Sequence, residues 1–447
     1  MKNMKRSTMT MLILVLTITV YGQKKWTLED CLNYAIQNNI TLKKSQLKKQ
    51  TATETLKQSK AELLPSVTGS TTQSFGYRPW TNQGTMTVTN GQVDLQTQKT
   101  YHNGNYNINA SWTVWNGNKN HNQVKLNRVS EEQAELTVEE TANTIQEKIA
   151  QLYVQILYVT EGVDVLRQSL ETSLKNEQRG QKMVEVGKMS KADLAQLSAQ
   201  RATDEYNVIE TQAQLANYKL QLKQLLELTN EEFDIVTPAL SDQQALQEIP
   251  SLTSVYDAAL LQRPEIKNAQ LSLKSSDLQM KIAKAGWMPT VSLTGSATTN
   301  TNSMSDVNWG EQMKTNFNAQ AGLGVSIPIY DQRKTRTAIN KAKIQHEQAE
   351  LDLLDQQKNL YSTIEGHWLD AQTNQQKFRS ATATVESEQA SYDLLSEQFQ
   401  LGLKNIVELM TGKDKLLSAQ HNRLQSKYIT ILKLQLLKFY QGETMKI

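Results

Sequence analysis

The five histidines and the single cysteine are the residues best suited to chemistry. The histidines are His102, His121, His346, His367 and His421. Their spacing matches no metal-ligand pattern, so each is interpreted as a surface or packing residue. Cys31 lies in the segment LEDCLNYA at 28–35 and is interpreted as a small apolar residue on a helix face. The sequence contains no nucleophile elbow, phosphate loop or paired carboxylates. We therefore predict no catalytic residue, no cofactor and no metal site.

Two short segments combine a glycine with a helix-starting pair of residues at the same spacing. These residues are Gly187, Ser190 and Asp193 in one segment and Gly402, Asn405 and Glu408 in the other. A glycine with positive φ ends a helix, and Ser or Asn three residues before a carboxylate begins the next one. Both segments are therefore predicted to be tight helical hairpins. Solvated charge and helix capping are one interpretation of Asp193, Glu408 and the nearby Lys404, because the helix dipole favours acids at this end, and this role is compatible with a second one.

A coiled-coil repeat identifies the elements that these turns join. Apolar or small residues recur at spacings of four and three, at Val138, Ala142, Ile145, Ile149, Leu152, Ile156, Val159, Val163, Leu166 and Leu170. This 3.5-residue period is typical of a left-handed supercoil. We predict one helix over about 118–186, on the order of 100 Å long. Shorter return helices follow at about 191–228 and 406–440, and helices at 28–63 and 252–285 stack end to end with them.

The chain contains an internal repeat. The segment EQAEL at 132–136 recurs 215 residues later at 347–351, and the same offset relates Gly187 to Gly402 and Asp193 to Glu408. We predict a first structural repeat over 23–232, a linker over 233–250 and a second repeat over 251–447. Each repeat reads helix, strand, strand, long helix, helix.

The predicted strands alternate between apolar and polar residues. Their apolar positions are Tyr106, Ile108, Ala110, Trp112 and Val114 in one strand and Phe317, Ala319, Ala321, Leu323, Val325, Ile327 and Ile329 in another. A soluble sheet packed on one side would explain any single strand of this kind. Four such strands without a covering helix need lipid or a partner chain. Unpaired edges are not tolerated in hydrocarbon, and oligomerisation solves this problem: three chains would give 12 strands, an even number within the range of outer-membrane barrels.

The N-terminus and the composition fit an exported protein. Lys2, Lys5 and Arg6 precede a short apolar run and small residues at the usual cleavage positions, which predicts a signal peptide at 1–22. Its removal takes away three positive charges and reduces the formal net charge of +3 to zero. This balance leaves no strongly basic surface for nucleic acid.

The complete pattern resembles the TolC family of outer-membrane efflux proteins, across essentially the whole mature chain. The residues that carry the resemblance are LPSV at 64–67, MPTV at 288–291, IPIY at 327–330, VGKMSKADL at 186–194 and LGLKNIVEL at 401–409. It implies a mostly α-helical homotrimer with a 12-stranded barrel in outer-membrane lipid and a helical barrel in the periplasm. Ile108, Trp112, Leu323 and Ile327 would then face lipid.

The resemblance also implies a gate and a docking surface at the periplasmic tip. Phe399 stands where the family has a coil-closing tyrosine, Lys404 replaces an arginine, and Asp193 matches a coil-linking aspartate. Glu408 matches the first aspartate that lines the aperture, whereas Thr411 replaces the second one. The trimer would thus carry one ring of three carboxylates.

The implied partners are a periplasmic adaptor, which would dock at Gly187 and Gly402, and an inner-membrane transporter. The function implied is a passive conduit in a tripartite efflux or secretion system. A secreted coiled-coil interaction protein with a small soluble sheet is the alternative, and an enzyme that uses the strands is a third hypothesis.

Overall fold

The computed structural model describes residues 25–80, 85–89, 91–96, 99–229, 233–238 and 240–446. The predicted signal peptide at 1–22 lies outside the described residues. The described helices are α1 (Leu28–Asn38), α2 (Ile40–Ala61), α3 (Lys119–Glu185), α4 (Lys191–Leu225), α5 (Asp242–Ala245), α6 (Leu252–Gln262), α7 (Pro264–Lys284), α8 (Trp309–Thr315), α9 (Lys334–Gln400) and α10 (Ile406–Tyr440). The strands are β1 (Lys25–Trp26), β2 (Ser66–Tyr77), β3 (Thr85–Thr89), β4 (Gln92–Gln96), β5 (Thr100–Trp115), β6 (Asp234–Ile235), β7 (Thr290–Asn302) and β8 (Asn318–Ser326).

The long helices agree with the prediction from the 3.5-residue period. Helices α3 and α9 each contain 67 residues, and α4 and α10 each contain 35. Both members of each pair begin 215 residues apart, the offset found in the sequence. Helix α3 runs through Gly162 without interruption, as the unbroken pattern of apolar residues predicts. We call α3 with α4 the first hairpin and α9 with α10 the second hairpin.

The prediction of single helices at 28–63 and 252–285 is wrong, because each is divided by one extended residue. Asn39 has φ −60° and ψ 126°, and Arg263 has φ −65° and ψ 129°. Pro264 disfavours a helical conformation for the residue before it, which explains the second break. At the first break, the Asn39 side chain accepts hydrogen bonds from the backbone N–H groups of Thr41 and Leu42 and so caps α2.

A four-stranded antiparallel sheet has the order β2-β5-β7-β8. Strands β2 and β8 are therefore its edges. The connection between β2 and β5 carries the separate hairpin of β3 and β4, and the connection between β7 and β8 carries α8. The sequence pattern predicted neither insertion. The predicted alternation continued to Ile329, but β8 ends at Ser326, since Pro328 has no N–H to donate to a ladder.

The chain divides into two compact units. Of the described residues, the helical unit comprises those within 25–45, 138–267 and 356–446, and the strand unit comprises those within 46–137 and 268–355. In the helical unit, Ile149, Tyr153 and Ile156 of α3 are buried in the main apolar core. Cys31 is buried there as well, which raises the pKa of its thiol to about 12 and confirms its packing role.

Short elements of the predicted linker belong to the helical unit too. Strand β6 pairs in parallel with β1, with Trp26 opposite Ile235. The Tyr153 hydroxyl donates a hydrogen bond of 2.7 Å to the carbonyl oxygen of Val236. Among the described residues, no helix combines the length and the apolar character that crossing a bilayer requires.

Candidate functional site

The turns of the two hairpins have the same backbone geometry. Gly187 has φ +74° and Gly402 has φ +78°. The next N–H in each turn reaches back five residues, from Lys188 to the Met183 carbonyl at 2.8 Å and from Leu403 to the Gln398 carbonyl at 2.9 Å. These are the bonds of a Schellman motif, which needs a left-handed residue and therefore favours glycine. The predicted tight hairpins are present at both positions.

The two glycines have open space around them. A Cβ atom built on Gly187 or Gly402 meets no heavy atom within 4 Å. At Gly117, which also has positive φ, a Cβ atom would lie 2.6 Å from the Cβ atom of Met288. Within one chain, therefore, only the backbone conformation selects glycine at the two turns. Exposed apolar side chains lie beside each turn: Val186 next to Gly187, and Leu401, Leu403 and Val407 near Gly402.

Glu408 is held in a fixed position at the start of α10. Its carboxylate accepts hydrogen bonds from Lys404 Nζ at 2.6 Å and from the Asn405 N–H at 3.1 Å. Its own N–H donates to Asn405 Oδ1 at 2.9 Å, which completes a capping box. The hydrogen bond from Lys404, with that from Asn405, lowers the pKa of Glu408 below its usual value. The carboxylate thus serves as a helix cap and an ion-pair partner at once.

Asp193 occupies the corresponding position at the start of α4. The Ser190 hydroxyl donates to its carboxylate at 2.8 Å, and its N–H donates to the Ser190 hydroxyl at 3.0 Å. The helix-capping role predicted for Asp193 is therefore present. The chain itself pairs Lys404 with Glu408, so a link between Lys404 and Asp193 remains a proposal for the assembled protein.

Phe399 and Thr411 lie on the helices that flank the second turn. Phe399 packs against a buried cluster formed by Tyr392, Leu409 and Leu416. It therefore joins α9 to α10 by apolar contact. The Thr411 hydroxyl donates to the Val407 carbonyl of its own helix at 2.7 Å. Thr411 therefore adds no charge at this position, as its residue type predicted.

The strand unit contains the residues predicted to face lipid. The register places Trp112 opposite Leu293 and Leu293 opposite Leu323, and it places Ile108 opposite Ala297. These residues share one face of the sheet, because paired residues project to the same side. The opposite face carries asparagine, serine and threonine, at Asn105, Asn107, Asn109, Ser296, Thr298 and Asn300. Ile327 lies one residue beyond β8 and is exposed, as are Ile108, Trp112 and Leu323.

The sequence reasoning missed a buried polar cluster between the hairpins. Ser173 of α3 and Asp204 of α4 lie against Lys413 of α10, and all three side chains are buried. A signal existed in the helix period. Asp204 lies seven residues after buried Leu197, and Lys413 follows buried Leu409 by four residues, so charged residues occupy core positions of both helices.

Metal-ligating side chains form no group of three or more within the described parts of the chain. His102, His346 and His421 make isolated contacts instead. His421 Nε2 lies 2.8 Å from the Tyr158 hydroxyl, and His346 Nδ1 lies 3.0 Å from the Ser276 hydroxyl. Among the described side chains, the neighbours of these histidines give them roles in packing and hydrogen bonding.

Comparison with known proteins gives consistent matches in sequence and structure. A family model described as "Outer membrane efflux protein" matches residues 31–227 and 255–442. The outer membrane efflux protein BepC of Brucella suis biovar 1 (strain 1330) is 23% identical over 407 residues, which cover 91% of this chain and 83% of that protein. The cation efflux system protein CusC of Escherichia coli (strain K12) is 20% identical over 189 residues, covering 41% and 39% of the two chains.

Solved structures share the fold over nearly the whole length. A CusC structure has a TM-score of 0.80 at 16% identity and covers 95% of this chain and 96% of that chain. The outer membrane channel CmeC of Campylobacter jejuni has a TM-score of 0.75 at 18% identity, with coverages of 94% and 87%.

Proposed function

The chain belongs to the outer membrane efflux protein family, and from this membership we propose that it acts as the outer-membrane channel of a tripartite efflux system. The family match over both halves of the chain is the observation that carries the proposal. The resemblance drawn from the sequence, the mostly helical fold with a small sheet and the outer-membrane location are confirmed at the level of the family. The relatives are named as efflux and export proteins, and we propose a passive conduit that catalyses no reaction.

We propose a homotrimer, and the two edges of the sheet support it. Among the residues that the structure describes, β2 and β8 each have a neighbouring strand on one side only. Their outward N–H and C=O groups need partners in a bilayer, because hydrocarbon offers no hydrogen bonds. Three copies that pair β8 of one chain with β2 of the next would form a closed barrel of 12 strands. The exposed apolar face with Ile108, Trp112, Leu323 and Ile327 would then contact outer-membrane lipid.

The two turns are the proposed periplasmic tip and adaptor-docking surface. Gly187 and Gly402 leave open space above the backbone, and exposed apolar side chains stand beside them. An exposed apolar patch with a polar surround is typical of a protein interaction site. A periplasmic adaptor that packs on these turns would connect the channel to an inner-membrane transporter.

The gate is proposed at the second turn. Three copies of Glu408 would form a carboxylate ring, with Lys404 beside each carboxylate and neutral Thr411 one turn further along α10. Phe399 would help to hold Glu408 in place, because it packs against the apolar cluster that contains Leu409. Asp193 of the first hairpin would be available to link neighbouring coils in the trimer.

An internal repeat explains why one chain contains two helical hairpins of the same lengths. We propose that 23–232 and 251–447 are copies of one unit joined by the linker at 233–250. The equal lengths of the paired helices and the extended residues at Asn39 and Arg263 support this division.

Purification of the full chain with and without detergent tests the proposal. We expect a detergent-dependent trimer that migrates more slowly on a gel before heating than the denatured single chain does after heating, and that conducts ions in planar bilayers. A water-soluble chain that needs no detergent and conducts no ions would instead support the secreted coiled-coil protein. Export restored by the chain in a strain that lacks its channel would complete the test.

A further inference from the structure

A buried ion pair connects the two hairpins inside one chain. Lys413 of the second hairpin donates hydrogen bonds to the Asp204 carboxylate and the Ser173 hydroxyl of the first hairpin. Ser173 in turn donates to the same carboxylate oxygen of Asp204. Gln200 donates to the other carboxylate oxygen at 3.1 Å. Both oxygens of the buried carboxylate thus have hydrogen-bond partners.

Burial distinguishes this pair from the ion pair at the turn. The Asp204 and Lys413 side chains are 3% and 7% exposed, whereas those of Glu408 and Lys404 are 40% and 38% exposed. Water and salt screen an exposed pair, but they have little access to a buried one. A buried pair also contributes less to stability than well-packed apolar residues of similar volume, because both charges lose their hydration. Its best-attested use is to specify one arrangement of the helices that it joins.

The pair is not part of the repeated architecture. The offset of 215 residues relates Asp204 to Ala419 and Lys413 to Ser198, neither of which carries a charge. The contact between the hairpins is therefore asymmetric: its carboxylate lies on α4 of the first hairpin and its ammonium group on α10 of the second. By contrast, Arg201 and Glu177 form an ion pair at 3.0 Å between the two helices of the first hairpin.

Lys413 borders a cavity that has both polar and apolar side chains in its lining. The cavity has a volume of about 200 Å³ and is lined in part by Thr172, Gln389 and Gln420. Polar groups in a cavity of this size can hold water that hydrates a displaced ammonium group.

We propose that the buried pair of Lys413 and Asp204, with Ser173, fixes the second hairpin against the first and thereby sets the resting width of the gate. This inference rests on the proposed channel function. Lys413 lies five residues after Glu408 on α10, roughly 8 Å along the helix axis at 1.5 Å per residue. A shift of α10 at Lys413 therefore moves Glu408 with it, which makes Lys413 and Asp204 positioning residues for the gate.

Spin labels at Val186→Cys and Leu401→Cys test the connection without any channel measurement. Both positions are exposed at the hairpin turns, and the one native cysteine, Cys31, is buried. The full chain is purified in detergent as trimers diluted with unlabelled chains. We expect a narrow distance distribution in the parent protein and at least a doubling of its width in Asp204→Asn and in Lys413→Met. Arg201→Met, which breaks a pair within the first hairpin, is the matched control and should leave the distribution unchanged.

Single-channel conductance in planar bilayers measures the effect on the gate. We expect a rise of about twofold or more in both single variants and a return toward the parent value in the charge-swapped Asp204→Lys/Lys413→Asp. If a single variant fails to fold, the apolar double variant Asp204→Leu/Lys413→Met replaces it, and raised conductance in that stable protein supports the proposal. An unchanged distance distribution together with parent-like conductance in these variants would overturn it. A parent protein that conducts no ions, with widened distances in the variants, would retain the connection and reject the channel.

Discussion

The Nζ atom of Lys404 lies 2.6 Å from Oε1 of Glu408, four residues later in the same chain. The second carboxylate oxygen of Glu408 accepts from the Asn405 N–H. Each chain would therefore contribute a carboxylate and its own counter-charge to an aperture formed by three copies. A gate of this composition depends on the protonation of Glu408 and on the presence of Lys404.

The ion selectivity of the reconstituted channel should persist to unusually low pH. The hydrogen bond from Lys404 lowers the pKa of Glu408, so its negative charge is lost only as pH falls through that lowered value. The usual pKa of a glutamate is 4.5, and we expect cation selectivity to decline only below that pH. In Lys404→Met the pKa returns toward the usual value, and the decline should begin at higher pH. Reversal potentials in salt gradients between pH 7 and pH 3 measure both effects.

The matched control for this titration is Glu408→Gln, which keeps the capping geometry without a charge. Its selectivity should be weaker than that of the parent at pH 7, and the step assigned to Glu408 should disappear. A titration in Glu408→Gln that superimposes on the parent curve would remove Glu408 from the aperture.

Substitution of Gly402 should separate backbone strain from loss of docking. Gly402→Ala forces a Cβ atom into the left-handed region and should cost about 1–2 kcal/mol of stability. Gly366→Ala is the control, because that helical glycine also has open space around it and alanine favours a helix by up to about 1 kcal/mol. Thermal unfolding in detergent measures both differences.

The same turn provides a test of docking. Gly402→Val should assemble as a trimer but lose export, because a branched side chain fills the space that an adaptor would need. Normal export by the Gly402→Val protein would mean that the adaptor binds elsewhere.

The apolar cluster behind the second turn should be a local contributor to stability. Leu409 is buried, and Leu409→Ala should cost about 2–5 kcal/mol through lost burial and the cavity left behind. Leu401→Ala removes the same atoms from a side chain that is 74% exposed and should change stability by less than about 0.5 kcal/mol. Urea unfolding in detergent compares the two. Equal losses would contradict the packing described for Leu409.

The two faces of the sheet should respond differently to one added charge. Leu323→Arg on the apolar face should destabilise the membrane-inserted protein by about 2–4 kcal/mol if it lies at the bilayer midplane. Gln320→Arg lies on the opposite face of the same strand and should be tolerated. Unfolding from lipid vesicles, with trimer yield as a second readout, distinguishes them. Similar damage from both substitutions would show that the assignment of the faces is wrong.

Much of the helical architecture could be predicted from the sequence because its signals are local. The 3.5-residue period defined α3, and the glycines with their capping residues located both hairpin turns. The break before Pro264 also had a local signal, the proline itself, which the prediction of one continuous helix did not take into account. The break at Asn39 was harder to predict, because asparagine is tolerated in a helix and its capping bonds become visible only in three dimensions.

The charge contacts could be predicted less well, because a side chain chooses its partner in space. Lys404 has a carboxylate four residues away, and in this chain it pairs with Glu408 rather than with Asp193. Lys413 and Asp204 are 209 residues apart in the sequence. Their positions within the helical period indicated that each was buried, but only the packing of α4 against α10 identified them as partners.

The insertions between the strands determine where this protein can change over evolution or be modified in the laboratory. The pair β3 and β4 occupies the strand connection in the first half, and α8 occupies it in the second, although α3 and α9 are equal in length. Deletion of one residue from α3 would rotate every later side chain by about 100°, since a turn contains 3.6 residues. A strand connection can gain or lose residues without that rotation. Sequence diversity between strains and engineered epitope tags should therefore concentrate in 78–99 and 303–317.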